Sequence, residues 1–168
     1  MELVLRPATA DDRPLLWRLL GEAAAWRPDA EVLTADALSD DAALARYARG
    51  WPRDGEVGVV AETRVETGGP VAVGGSWLRL LGGTERGYGW VADDVPELSI
   101  AVLAPWRGRG IGRRLLAAVL VSAGAAGHAR VSLSVEDDNP ARALYEQVGF
   151  VAVKQDHGAT TMVASTSR

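Results

Sequence analysis

Apolar residues change their spacing along this chain, and each change marks an element. Glu2–Arg6, a short apolar Leu3-Val4-Leu5 run between charged residues, reads as a first strand. Pro7 closes it, and Thr9-Ala10-Asp11-Asp12 supplies side-chain oxygens suited to a helix start. Leu15, Leu16, Leu19, Leu20 and Ala23 then recur at helical spacing, which predicts a helix to about Ala25, broken by Trp26-Arg27-Pro28. Leu38, Ala42, Ala45 and Tyr47 carry a second helical pattern from near Thr34 to the Gly50-Trp51-Pro52 stop. From Glu56 the period shortens. Val57, Val59, Val60 and Ala61 predict one strand, and Val71, Val73, Trp77, Leu78 and Leu80 another, with Gly68-Gly69-Pro70 as the turn between them. Gly82–Asp94, which holds Tyr88 and Trp90, has neither period and reads as a loop or loose hairpin.

The second half is more tightly patterned. Leu98–Leu103 reads as a buried strand, and Gly110–Ala126 as a helix with Ile111, Leu115, Leu116, Val119 and Leu120 on its inner face, stopped by Gly127. Val131–Val135 predicts a strand, Asn139–Val148 a short helix and Phe150–Val153 a strand. Thr160–Ala164 predicts a last strand after the Asp156-His157-Gly158 turn, and Ser165–Arg168 is expected to fray. This order implies an α/β mixed sheet with helices on both faces, in one domain spanning residues 1–168. Internal repeats and low-complexity linkers are absent from the sequence.

Composition narrows the function. The 168 residues suffice for one domain with a real core. A net charge of −4 and a pI near 5.2 argue against nucleic acid as the main partner. Without cysteine, disulfides, thiolate metal sites and a cysteinyl covalent mechanism are excluded. His128 and His157 stand apart from every motif, so no metal site is expected. No apolar run reaches the length of a membrane span and no signal-peptide pattern opens the sequence, which leads to the expectation of a cytoplasmic protein.

The most informative segment is Leu98–Leu116. A strand ends at Leu103, Ala104-Pro105-Trp106 follows, and Gly108, Gly110 and Gly112 alternate just before a helix. Glycines there let the backbone bend sharply and approach a ligand, while the helix start offers free N–H groups and a positive dipole end. Arg107, Arg109, Arg113 and Arg114 concentrate positive charge at the same place in an acidic chain. Such a turn suits a phosphorylated ligand. A nucleotide-triphosphate loop is excluded because no Gly-Lys-Ser/Thr follows. A dinucleotide fingerprint finds Gly110 and Gly112, and Glu136 at a suitable distance for a ribose, but has Leu115 where its third glycine belongs. A turn with no ligand leaves the one-signed arginine cluster unaccounted for.

Arg107-Gly108-Arg109-Gly110-Ile111-Gly112 resembles the Arg/Gln-x-x-Gly-x-Gly/Ala signature of the GNAT N-acetyltransferase superfamily. Glu97-Leu98-Ser99-Ile100-Ala101-Val102 resembles that family's fourth strand. Asn139 through Tyr145 to Gly149-Phe150 resembles its second signature, and Leu5-Arg6-Pro7-Ala8-Thr9-Ala10-Asp11-Asp12 is similar to a common opening. The likeness spans nearly the whole chain and is strongest between Glu97 and Phe150. It implies a mostly antiparallel sheet of six to seven strands, and acetyl-CoA as co-substrate for transfer to an amine in a direct ternary complex.

The resemblance also implies roles. Gly108–Arg113 would hold the CoA pyrophosphate through backbone N–H groups, with Arg107, Arg109 and Arg113 supplementing them. Ile100, Ala101 and Val102 would flank the acyl arm, with the Val102 N–H facing the acetyl oxygen. Tyr145 would protonate the departing thiolate, and Asn139 would both cap its helix and contact the CoA arm. Glu97 falls where several family members carry the carboxylate that takes the amine proton. Other members use a glutamate five residues before the asparagine, where this sequence has Ser134. Glu136, Asp137 and Asp138 are neighbouring alternatives, and Asp93 and Asp94 could attract a cationic amine. The acceptor is expected to meet the segments carrying Trp26, Arg27, Trp51, Tyr88 and Trp90, whose tryptophans serve equally as core residues. Dimerisation through the C-terminal strands, common in the family, stays open, as does a non-catalytic acyl-CoA-binding module of the same fold.

Overall fold

The computed structural model describes residues 2–65 and 68–167. Seven strands form one sheet in the order β1-β2-β3-β4-β5-β7-β6. They are β1 (Leu3–Pro7), β2 (Gly58–Arg64), β3 (Pro70–Arg79), β4 (Glu97–Val102), β5 (Arg130–Glu136), β6 (Val151–Asp156) and β7 (Ala159–Ser165). Every neighbouring pair is antiparallel except β4 and β5. That parallel pair needs a crossover, which α4 (Ile111–Ala125) supplies. The fold is the mixed α/β sheet that the pattern and the resemblance predict.

Two cores flank the sheet. On one face α4 buries Ile111, Leu115, Leu116, Val119 and Ala123 against Leu78, Leu98, Val131, Leu133 and Met162. On the other, Leu16, Leu19 and Leu20 of α1 (Arg13–Ala24) pack with Tyr47, Trp51, Trp77 and Leu103. Trp51 donates Nε1–H to the Leu78 carbonyl at 3.2 Å, which makes it a core residue rather than a wall of an acceptor site.

The structure corrects several boundaries. The single helix expected from Thr34 to Gly50 is two short ones, α2 (Ala35–Asp40) and α3 (Ala42–Ala45). Asp41 divides them because its carboxylate accepts the N–H groups of Ala43 and Leu44, recapping the chain in mid-pattern. β6 continues to Asp156, three residues beyond the expected Val153, and is exposed along its length at the sheet edge. The expected fraying after Ala164 is wrong for Thr166, whose N–H reaches the Ala129 carbonyl at 3.1 Å and whose hydroxyl reaches the His128 carbonyl at 2.5 Å. Arg168 lies outside the described residues, as do Glu66 and Thr67 beside the Gly68-Gly69-Pro70 turn.

Two ion pairs hold the helical layer to the sheet. Arg6 grips Asp12 through two 2.8 Å bonds, while Asp12 also accepts the Thr9 N–H, which fixes the start of α1. Arg79 and Glu56 form a fully buried pair at 2.9 Å. Glu56 also accepts the N–H groups of Arg53 and Leu80, and Arg79 donates to the Arg49 carbonyl, so the segment after α3 is tied to the end of β3.

Candidate active site

The site begins where the sheet comes apart. β4 and β5 pair only at Glu97↔Ser132, and beyond that point they separate. On its other side β4 stays in register with β3 through Gly74↔Val102, and the Leu103 N–H donates to the Val73 carbonyl at 2.9 Å. Bonded and non-bonded pairs alternate in an antiparallel ladder, so Val102 and Ile100 turn their N–H and C=O groups away from β3, into the split. The Val102 carbonyl accordingly takes a bond from Arg107 Nε at 2.9 Å. Two backbone N–H groups are thus presented without a strand to receive them.

A cleft of about 1330 Å³ runs through this split. Ile100, Ala101, Val102, Ser134, Asn139 and Tyr145 line it together, so the strand, the second signature and the position of the displaced family glutamate converge. Tyr145, on α5 (Ala141–Gln147), packs edge-on against Phe150 with ring centroids 6.0 Å apart. Its hydroxyl has no hydrogen-bond partner among the described residues, and burial pushes its pKa up to about 12. Asn139 accepts the Ala141 N–H on Oδ1 at 2.9 Å, one residue ahead of the expected capping place because Pro140 is the N-cap of α5, and its NH₂ group is left for the cleft.

At the rim, Arg107 leads into the glycine turn. Gly108 and Gly110 have φ of +73° and +76°, the left-handed conformation that glycine adopts without a side-chain penalty. Gly110 is the N-cap of α4, and the N–H groups from Gly108 to Arg113 bond to no acceptor among the described residues. The arginines divide their labour. Arg107 is committed to Val102 and to Glu22 at 2.7 Å, and Arg109 lies over the Trp106 ring with its Cζ 5.1 Å from the centroid. Arg113 is exposed on the first turn of α4, and Ile111 buries its side chain in the core, leaving only its N–H to the turn.

Glu97 stands at the closed end of the split and is 3% exposed. Oε1 accepts the Tyr47 hydroxyl at 2.6 Å and the Gly89 N–H at 2.8 Å, while the buried Oε2 has no partner among the described residues. Burial raises the Glu97 pKa, and the Tyr47 and Gly89 bonds and the Arg46 charge hold it down in part. The expected loop Gly82–Asp94 supplies the cover. A Cβ on Gly87 would displace the Glu97 carboxylate and the Tyr47 hydroxyl, and one on Gly89 would lie 2.6 Å from the Leu133 carbonyl carbon, where the backbone leaves room only for glycine. The Tyr88 N–H donates to the Tyr47 hydroxyl at 2.7 Å, and the two rings stack with centroids 6.3 Å apart.

The remaining carboxylates named as alternatives are engaged. Arg27 binds Glu136 at 2.8 Å and Asp138 at 2.6 Å, and Trp26 Nε1–H also donates to Glu136, so the segment after α1 straps across to the end of β5. Asp137 accepts from Thr160 and Gln155. Asp93 accepts from Trp90, which is covered by Arg86, and neither Asp93 nor Asp94 lines the cleft. Among the described residues no cluster of His, Asp and Glu could hold a metal ion, and no helix is long and apolar enough to cross a membrane.

The family model for the acetyltransferase (GNAT) family matches residues 10–150. The chain belongs to that family. Among solved structures it is similar to SsHAT, with 22% identity over the whole of both chains and a TM-score of 0.69. Another is yncA, assigned as an acetyltransferase from Salmonella typhimurium and solved with its cofactor acetyl-CoA. It is 21% identical over 98% of this chain and 94% of its own, with a TM-score of 0.65. A GNAT-family acetyltransferase from Streptococcus pneumoniae is 19% identical over 98% of this chain and 99% of its own, also with a TM-score of 0.65. At these identities the likeness is one of fold. No curated protein matches the sequence.

Proposed function

We propose that this chain, acting as a single domain, is an acetyl-CoA-dependent N-acetyltransferase that passes the acetyl group directly to a primary amine within a ternary complex. The observation carrying this reading is the pair of backbone N–H groups at Ile100 and Val102, turned into the β4–β5 split in a cleft that Tyr145 also lines. The Gly108–Arg113 turn, with its free N–H groups at the start of α4, suits the CoA pyrophosphate; Arg113 adds charge there, whereas Arg107 serves chiefly to fix Val102. Asn139 suits the amides of the CoA arm.

The chemistry follows from these groups. An alkylammonium has a reference pKa near ~10.4, so the acceptor must lose a proton before its nitrogen can attack the thioester carbonyl carbon. Glu97 takes that proton. Its Oε1 already accepts two hydrogen bonds, so the proton goes to Oε2, which has no partner among the described residues. The Val102 N–H stabilises the oxygen that becomes negative as the new C–N bond forms. The C–S bond then breaks, Tyr145, which burial keeps protonated, gives its proton to the sulfur, and the second proton that the nitrogen sheds on becoming an amide returns the tyrosinate to its neutral form. The products are an N-acetylated amine and free CoA.

Amine-dependent release of the CoA thiol tests the reading. The wild type should release thiol with at least one primary amine, and Tyr145→Phe should lower kcat by about 10²-fold with acetyl-CoA affinity unchanged. Tight CoA binding with no thiol release from any amine would overturn it and favour a non-catalytic acyl-CoA-binding module.

A further inference from the structure

The charge pattern of the cleft selects among amines. Its carboxylates are Glu22, Glu97, Glu136, Asp137, Asp138 and Asp156. Glu22 is paired with Arg107, Glu136 and Asp138 with Arg27, and Asp156 with Lys154 at 3.6 Å, while Asp137 accepts from Thr160 and Gln155 beside Arg142. Glu97 alone among them has no cationic side chain bonded to it among the described residues. A second amine charge would therefore have to displace an arginine or lysine from one of these pairs, whereas the reacting nitrogen finds Glu97 free of one. An α-amino acid would fare no better, since Arg27 and Arg107, the arginines that line the cleft, are both committed.

The wall beside Glu97 is apolar and aromatic instead. Leu20 from α1, Leu33, Leu44 and Tyr47 line the same cleft, and Tyr88 stacks on Tyr47 with its ring plane 14° away from parallel. Tyr88 is 65% exposed, an unusual amount of aromatic surface to leave in water beside a buried carboxylate. A ring pair next to a carboxylate receives an ammonium by its electron-rich faces and an apolar body by contact.

We infer that the acceptor is a monoamine carried on an apolar or aromatic body, with its nitrogen at Glu97 and its body against Tyr88. This rests on the acetyltransferase reading above. The nitrogen gains the acetyl group, its proton goes to Glu97, and the apolar body stays on the ring.

Initial rates at saturating acetyl-CoA with 2-phenylethylamine, spermidine, glycine and a lysine-containing peptide decide it. The expected result is a kcat/KM for 2-phenylethylamine about tenfold or more above the other three. Tyr88→Ala should raise KM for 2-phenylethylamine about tenfold with little change in kcat, and Tyr88→Phe should restore it. The melting temperature of each variant is measured alongside, which separates a loss of fold from a loss of amine binding. Best turnover of spermidine, glycine or the peptide overturns this inference and leaves the acetyltransferase reading standing. So does a Tyr88→Ala effect that falls on kcat with KM unchanged. Absence of thiol release with all four overturns this inference, while the acetyltransferase reading falls only when no primary amine gives release.

Discussion

The Tyr47 hydroxyl donates to Glu97 Oε1 at 2.6 Å across 50 residues of sequence. The bond favours the carboxylate over the acid, so it works against the burial that raises the Glu97 pKa. Catalysis in the proposed scheme needs the carboxylate, and kcat/KM therefore rises with pH through the free-enzyme pKa of Glu97. Tyr47→Phe removes the donor and should move that acidic limb to higher pH. A pH–rate profile in which the limb stays in place or moves down would remove Glu97 from the proton path.

Glu97 should cost stability at the position proposed to take the amine proton. Its folded-state pKa lies above the ordinary glutamate value, so the folded chain holds the proton more tightly than the unfolded chain. Its contribution is fully present below the unfolded-state pKa and is lost as pH rises through the folded-state value. Glu97→Gln keeps an oxygen for Tyr47 and Gly89 but buries no charge. The variant should melt at or above the wild-type temperature at neutral pH and lose most of its activity. A marked drop in melting temperature together with retained turnover would contradict the assignment.

Gly110 should be needed by its conformation. Its φ of +76° is one that a β-branched residue adopts only with strain, although no atom stands within 4 Å of the place a Cβ would occupy. Gly110→Val should weaken acetyl-CoA binding about tenfold or more by calorimetry, since the cradle of N–H groups must rearrange, and should leave the amine preference intact. Arg107→Ala should act through kcat as well as KM, because its guanidinium holds the Val102 carbonyl.

The two classes of ion pair should differ sharply in denaturant unfolding. Glu56→Ala leaves the Arg79 guanidinium buried without its carboxylate and should cost about 3–5 kcal/mol. Arg27→Ala removes exposed, solvent-screened pairs with Glu136 and Asp138 and should shift the unfolding midpoint far less. Equal effects would mean that Glu56 and Arg79 do not anchor the segment after α3.

Local signals in the sequence were enough to find the segments proposed to hold the donor. The Arg107–Gly112 turn, the β4 apolar run and the Asn139-to-Tyr145 spacing each lie within one strand, turn or helix, and the structure brings them to one cleft and its rim. The acceptor half depends on distant pairs. Tyr47 reads as one more apolar position in a helical pattern, and nothing in that pattern says that its hydroxyl meets Glu97. Gly87 and Gly89 read as loop glycines, although their flanking of an aromatic residue was a usable sign of close backbone approach. The break at Asp41 was hidden because its capping bonds compete with an unbroken apolar period, and the Arg79–Glu56 pair because each residue alone looks solvent-facing.

Direct transfer from acetyl-CoA to an amine is best tested by incubating the protein with acetyl-CoA and a mixture of primary amines and following every product by mass spectrometry. The expected products are one N-acetylated amine and free CoA in equal amounts, with the protein itself unacetylated throughout. Bound acetyl-CoA left unchanged, or an acetyl group carried on the protein before any amine is modified, would contradict direct transfer.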